Sequence, residues 1–130
     1  ALQAFREAEA YNGPSLIIAY SPCIEHGYPM EESLTQQQLA VKSGYWPLYR
    51  YNPALHSSGR NPFLLDSLRP KIDLSDYIYR EGRYRGLRDR NPDEAARLLG
   101  LAEQVVRQKW SVYEEMATRD VHEFIPDTRH

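Results

Sequence analysis

The single cysteine of these 130 residues, Cys23, lies in the stretch Ser21-Pro22-Cys23-Ile24-Glu25-His26-Gly27-Tyr28-Pro29. Three chemistries are open to a thiol so placed. As a nucleophile it would need a base, and His26 is the nearest candidate, although the two members of such a dyad usually come from distant segments. As a metal ligand it would need companions, because zinc sites and iron–sulfur clusters take four ligands and no second cysteine is present to complete a CxxC pair. As a structural thiol it would be a small buried hydrophobe, the commonest fate of a free cysteine. Its place after a proline in a loop, rather than inside an apolar element, weighs against that last reading.

The remaining chemistry is thinner. His26 is expected to be a loop hydrogen-bonding residue, and His56, His122 and His130 fall in loops or the tail without grouping into a metal site. Residues 79–90, Tyr79-Arg80-Glu81-Gly82-Arg83-Tyr84-Arg85-Gly86-Leu87-Arg88-Asp89-Arg90, interleave base and aromatic in a way that can mimic nucleic-acid binding. On a helix, with acids elsewhere to neutralise it, such a run is expected to be a solvated or interdomain face, or a docking patch for an acidic electron carrier. The phosphate-cradling patterns GxGxxG and GxxxxGK[ST] are both absent from the sequence.

The elements that must hold Cys23 follow from local pattern. Ala1 to Tyr11 is helix-forming, and Asn12-Gly13-Pro14 ends it, since Gly can take left-handed geometry and Pro cannot continue the ladder. No capping residue precedes that helix, so the sequence is expected to begin inside a longer polypeptide. Leu16-Ile17-Ile18-Ala19-Tyr20 is unbroken apolar sequence and predicts a central parallel strand buried on both faces. Cys23 would then sit in the loop at the carboxyl end of that strand, where ligands gather in open α/β sheets.

Further on, Met30 to Ser43 predicts a partly solvated surface helix capped by Gly44, with Leu34 and Val41 on its apolar face. Tyr45 to Tyr51 predicts a strand, and residues 54–71 a loop containing a short edge strand at Phe63-Leu64-Leu65. Asp73 is placed to cap one helix running to about Arg90. Asn91-Pro92-Asp93-Glu94 is the clearest helix start, an Asn cap with Pro at the first position, and predicts a helix to about Thr118. Its stripe comprises Ala95, Leu98, Leu99, Ala102, Val105, Val106, Trp110, Tyr113 and Met116.

Bulk properties narrow the class. A net charge of −2, from 16 Lys plus Arg against 18 Asp plus Glu, implies neither nucleic acid nor an anionic membrane as partner. The longest apolar run is far short of the ~20 residues needed to cross a bilayer. A lone cysteine and no signal peptide point to the cytoplasm. The 10 tyrosines and 2 tryptophans exceed what a core of this size needs, so some are expected to contact neighbouring domains or subunits.

Residues 7–23 (Glu7-Ala8-Glu9-Ala10-Tyr11-Asn12-Gly13-Pro14 through Ala19-Tyr20-Ser21-Pro22-Cys23), with Gln37 to Val41, Ser43 to Pro53 and Asn61-Pro62-Phe63, closely resemble the C-terminal thiamin-binding domain of pyruvate:ferredoxin (flavodoxin) oxidoreductases. The resemblance covers nearly the whole chain but only a small last part of that family's polypeptide. It implies an α/β fold: the C-terminal part of a thiamin-diphosphate-binding domain over residues 1–118, with parallel strands flanked by helices to about residue 71, a helical region over 72–118, and an extended or disordered tail over 119–130. It also implies coenzyme-A-dependent oxidative decarboxylation of pyruvate to acetyl-CoA on thiamin diphosphate and magnesium. Electrons would leave through [4Fe-4S] clusters to ferredoxin or flavodoxin.

On this resemblance Cys23, in the Ser-Pro-Cys motif, is one ligand of the cluster nearest the thiamin, and the other three cysteines lie earlier in the family's chain. Its partners would be the rest of the same polypeptide and a second subunit of a homodimer. The family's magnesium- and diphosphate-holding motif is missing here, so the isolated chain is expected to be inactive. Glu25 and the residues after Thr118 depart from the family pattern. The competing reading is a non-catalytic interaction module with Cys23 as a buried thiol; a related 2-oxoacid oxidoreductase is the nearer alternative.

Overall fold

Asn91 opens the longest element as its sequence demands: the Asn91 side chain accepts a hydrogen bond from the Glu94 amide at 3.2 Å, and Pro92 occupies the first helical position. The structure, a computed structural model, describes residues 1–120. In chain order it comprises α1 (Leu2–Ala10), α2 (Ser33–Lys42), β1 (Tyr49–Tyr51), β2 (Phe63–Leu65), α3 (Leu74–Ile78), α4 (Gly82–Arg90) and α5 (Pro92–Thr118). Short 3-10 turns lie at Ile24–His26, Met30–Glu32 and Pro53–Ser58. The tail was expected to be extended or disordered; residues 121–130 lie outside the described part.

α5 is the spine. Ala95 and Trp110 are buried, and Leu99, Ala102 and Val106 pack against a core of Ala40, Leu74, Tyr77 and Ile78. Leu98 and Val105, assigned to the same stripe by spacing, face solvent instead. The far end of α5 is capped from a distance: Asn61 Nδ2 donates to the Met116 carbonyl at 2.9 Å and the Ala117 carbonyl at 3.1 Å, satisfying acceptors that a helix end leaves open. The same Asn61 side chain accepts from the Phe63 amide at 2.9 Å, so β2 is docked where α5 ends. Phe63, Tyr49 and Tyr113 then form a three-ring cluster, Phe63 lying 5.2 Å from Tyr49 and 6.0 Å from Tyr113 between ring centroids and the two tyrosines 5.3 Å apart.

The sheet is smaller and of another kind than expected. β1 and β2 form an antiparallel pair with Arg50 opposite Leu64, the only sheet among the described residues. β1 is shorter than Tyr45 to Tyr51 because Pro47 has no amide proton to give a ladder, so pairing begins only beyond it. Arg50 binds Asp66 at 2.7 Å and also pairs with Glu7, tying α1 to the sheet.

Leu16–Tyr20 is not a central parallel strand in this structure. The segment belongs to no strand, and Leu16 is 84% and Ile18 66% exposed. An unbroken apolar run says that both faces want cover; it does not supply the neighbouring strands whose amides and carbonyls would pair with it. Here β1 and β2 pair only with each other, which leaves the segment without strand partners among the described residues.

Two helices also depart from expectation. The single helix from Asp73 to Arg90 is two helices, α3 and α4, because Glu81 takes an extended backbone (φ −94°, ψ 129°) between them. Asp73 makes no side-chain cap bond. In α2 the polarity is inverted: Leu34 is 80% exposed, whereas Gln36 is 2% exposed and faces the core.

Candidate functional site

Cys23 lies in a loop, as expected, but not at the end of a strand, since no strand among the described residues precedes it; it is half-buried, with extended backbone (φ −144°, ψ 137°). Its carbonyl accepts from the His26 amide at 3.0 Å and so opens the 3-10 turn Ile24–His26. Gly27 closes that turn at φ 76°, a conformation that favours glycine.

What fastens this loop is a segment some 60 residues later, the junction of α3 and α4. The Gly82 amide donates to the Gly27 carbonyl at 3.0 Å, and Arg85 Nη2 donates to the same oxygen at 3.1 Å. The two glycines touch: a Cβ on Gly27 would meet Gly82 Cα at 2.9 Å. A side chain on Gly27 therefore would both strain its own backbone and push this contact apart.

Glu81, beside Gly82, is fully buried. A buried carboxyl group must be paired, since desolvation without partners costs several kcal/mol. Glu81 accepts from Gln36 Nε2 at 3.0 Å and from Arg83 Nε at 2.5 Å, and His26 Nδ1 stands 3.9 Å from Oε1. Gln36 also donates to the Tyr77 carbonyl at 3.2 Å, so α2, α3 and the α3–α4 junction meet on one amide. Arg83 reaches on to the Tyr20 hydroxyl at 2.8 Å, and Tyr20 in turn bonds Tyr77 through their hydroxyls at 3.0 Å. The Tyr20 ring stacks on Trp46 at 5.1 Å and on His26 at 6.0 Å.

Burial sets the electrostatics of these phenols. Desolvation raises Tyr77 well above an ordinary tyrosine, with the Tyr20 hydroxyl bond adding to it. Tyr20 and Tyr84 are raised for the same first reason. The phenols therefore stay protonated and serve as hydrogen-bonding groups at neutral pH.

The basic run is largely spent on the protein itself. Arg80 pairs with Glu32, Arg83 with Glu81, Arg85 donates to the Arg80 and Gly27 carbonyls, and Arg88 lies 4.9 Å over the Tyr79 ring. This argues against a free nucleic-acid surface and for an internal lattice. Among the described residues no group of three His, Cys, Asp or Glu could hold a metal ion. His26 turns to Glu81, and His56 lies in the turn Pro53–Ser58. Among the described residues no helix is long and apolar enough to cross a membrane.

Sequence reasoning singled out Cys23, set Tyr77 on an apolar helix stripe with Leu74 and Ile78, where it is buried, and missed Glu81 and Gln36. The one available signal was Glu81-Gly82 itself, a glycine in the middle of a putative helix, where it costs ~1 kcal/mol relative to alanine without a structural reason. Gln36 carried no signal, being one of three consecutive glutamines.

No family model matches the chain. Its curated relatives are pyruvate oxidoreductases, which are enzymes, and the chain is homologous to one segment of them. That segment belongs to pyruvate-flavodoxin and pyruvate:ferredoxin oxidoreductases, as the Ser-Pro-Cys stretch and its neighbours implied. The pyruvate-flavodoxin oxidoreductase of Rhodospirillum rubrum is 48% identical over 117 residues, covering 89% of this chain and 10% of that protein. That of Trichormus variabilis is 48% identical over 120 residues, or 92% of this chain and 10% of its own length. The pyruvate:ferredoxin oxidoreductase of Moorella thermoacetica is 45% identical over 116 residues, 89% of this chain and 10% of its own. The chain thus spans about a tenth of the length of the curated relatives it matches.

Proposed function

We propose that this chain is the part of a pyruvate:ferredoxin or pyruvate:flavodoxin oxidoreductase that delivers one thiolate, Cys23, to a [4Fe-4S] cluster. The supporting observation is that the chain's single thiol stands half-buried on a loop held at both ends, within a sequence 45–48% identical to those enzymes. The overall reaction converts pyruvate and coenzyme A to acetyl-CoA and carbon dioxide, releasing one proton and two electrons to ferredoxin or flavodoxin. Thiamin diphosphate and magnesium would be held by the rest of the polypeptide, in a cytoplasmic homodimer.

The donor set fits one corner of a cluster and no more. Cys23 is a single soft ligand, and a cluster of this kind takes four, so three must come from residues outside this chain. When bound, such a cluster supplies one-electron relay. The chain's own contribution is to hold the thiolate in place, not to attack substrate. Residues 1–118 are assigned to the C-terminal part of the thiamin-binding domain, an α/β portion to about residue 71 and a helical portion over 72–118. The exposed Leu16 and Ile18 support this, being apolar surface that calls for cover from outside the chain. The isolated chain is expected to have no oxidoreductase activity.

Replacing Cys23 in the intact enzyme tests the assignment. Cys23→Ala is expected to lower iron content or convert one cluster to a three-iron form, and to slow acceptor reduction while leaving thiamin binding unchanged. Cys23→Ser is expected to be milder, because an alkoxide can replace a thiolate at a shifted potential. Electron paramagnetic resonance and iron analysis beside the acceptor-reduction rate are the measurements. A Cys23→Ala enzyme with a full cluster complement and normal rate would overturn the assignment.

A further inference from the structure

We infer that Arg83, backed by the buried Glu81, is a positioning residue that holds the upstream end of the Cys23 loop against the α3–α4 junction, the same junction whose Gly82 and Arg85 hold the downstream end. Upstream of Cys23, the Tyr20 hydroxyl accepts from Arg83 Nη2 at 2.8 Å. Downstream, the Gly27 carbonyl accepts from the Gly82 amide at 3.0 Å and from Arg85 at 3.1 Å. Both attachments lead to the five residues 81–85, so the loop between them is a span whose two ends share one footing.

That footing is rigid for a physical reason. Glu81 is fully buried and fixed from three sides, by Gln36 on α2, by Arg83 and by the backbone of α3 through its own amide on the Ile78 carbonyl at 3.0 Å. Arg83 is held by its charge-assisted bond to Glu81 and therefore has few orientations left in which to meet Tyr20. Burial, the largest single effect, works against the Arg83 charge, and the bond and charge of Glu81 together with Tyr84 and Tyr20 more than offset it. A loop with one free end samples many positions; one fastened at both ends to the same junction does not. Metal ligands depend on such outer contacts for orientation. None of these contacts touches the thiol, so Arg83 acts through the loop. This inference deepens the cluster-ligand reading of Cys23 and rests on it.

The test uses the full-length enzyme carrying Arg83→Gln, Arg83→Lys or Tyr20→Phe. The first readout is alkylation of Cys23 by iodoacetamide in enzyme anaerobically stripped of its clusters, followed by mass spectrometry of the peptide that carries it. The second is iron content and the electron paramagnetic resonance signal of the reduced, cluster-loaded enzyme. Arg83→Gln is expected to raise the alkylation rate roughly tenfold, as expected when a loop loses a charge-assisted tether. It should also alter the resonance signal and speed iron loss, with Arg83→Lys partly restoring both. Tyr20→Phe, which removes only a hydroxyl, should move both readouts the same way by a smaller factor, and it decides the matter if Arg83→Gln does not fold. Unchanged alkylation and resonance signal in Arg83→Gln and Tyr20→Phe would overturn the inference. The underlying reading fails separately: if Cys23→Ala keeps all its iron while Arg83→Gln still exposes Cys23 to alkylation, Cys23 is not a ligand but the clamp stands.

Discussion

Residues 14–20 and the cluster around Tyr77 invert the ordinary distribution of polarity. In the first, Leu16, Ile17 and Ile18 are exposed on a segment that pairs with no strand among the described residues. In the second, a carboxyl group, an amide and a phenol are buried together, with Tyr77 and Glu81 both at 0% exposure. The contrast teaches that burial here follows from partners rather than from residue type. Tyr77 can be interior because Tyr20 answers its hydroxyl, and Glu81 because Gln36 and Arg83 answer its oxygens. The isoleucines lack the corresponding partner, a neighbouring strand, and stay outside. Polar residues carry their requirements on a few atoms that neighbours can meet locally, whereas an apolar strand needs an entire surface.

Truncation at the buried centre should produce the largest effect. Tyr77→Ala in the 130-residue chain removes a side chain from the core formed with Ala40, Leu74 and Ile78. A loss of about 3–5 kcal/mol in urea unfolding is expected, by analogy with other large aromatic truncations. Tyr77→Phe, which removes only the hydroxyl shared with Tyr20, should cost about 1 kcal/mol. Equal effects of the two substitutions would mean that the hydroxyl network, not packing, holds this centre.

Alkaline titration probes the same centre less severely. Tyr20, Tyr77 and Tyr84 are raised in the folded chain, chiefly by burial. Below about pH 10 these phenols are protonated in both folded and unfolded chains and contribute no pH dependence. Above it the unfolded chain releases protons that the folded chain retains, so stability falls as pH rises towards the folded values. Urea midpoints that decline above about pH 10, with tyrosinate absorbance lagging behind that of the unfolded chain, are the expected result. A flat profile would mean that these phenols reach solvent.

The smallest change in stability is expected on the exposed segment. Leu16→Ser with Ile18→Ser should alter the unfolding free energy of the chain by no more than about 0.5 kcal/mol, since neither side chain is packed. Its visible effect would be lower self-association and weaker binding of a hydrophobic dye, because the apolar patch is gone. A loss as large as that of Tyr77→Ala would show that the segment packs in solution, and the contrast between the two regions would fall.

Much of the local structure was legible along the chain. α1 ends before Asn12-Gly13-Pro14, α2 ends in a left-handed Gly44 at φ 77°, β2 lies at Phe63–Leu65, and α5 begins at the Asn91 cap. These signals are local because caps, glycine turns and prolines act on backbone groups within a few residues. Cys23 stood out for another reason: it is the only thiol in the sequence.

The sequence by itself determined where α1 and α2 stop and where α5 starts, which residue is the chain's one thiol, and which group of enzymes shares this segment. Only the tertiary structure decided that Gln36 and not Leu34 faces the core, and that one helical pattern breaks at Glu81. It also decided that Arg80, Arg83, Arg85 and Arg88 serve the protein's own carboxylates, carbonyls and rings, and that Leu16–Tyr20 pairs with no strand among the described residues. The physical reason is distance along the chain. Gln36, Tyr20 and Gly27 find their partners 41 to 63 residues away, and no periodicity within a short window encodes a hydrogen bond that closes only when α2, the Cys23 loop and the α3–α4 junction are brought together.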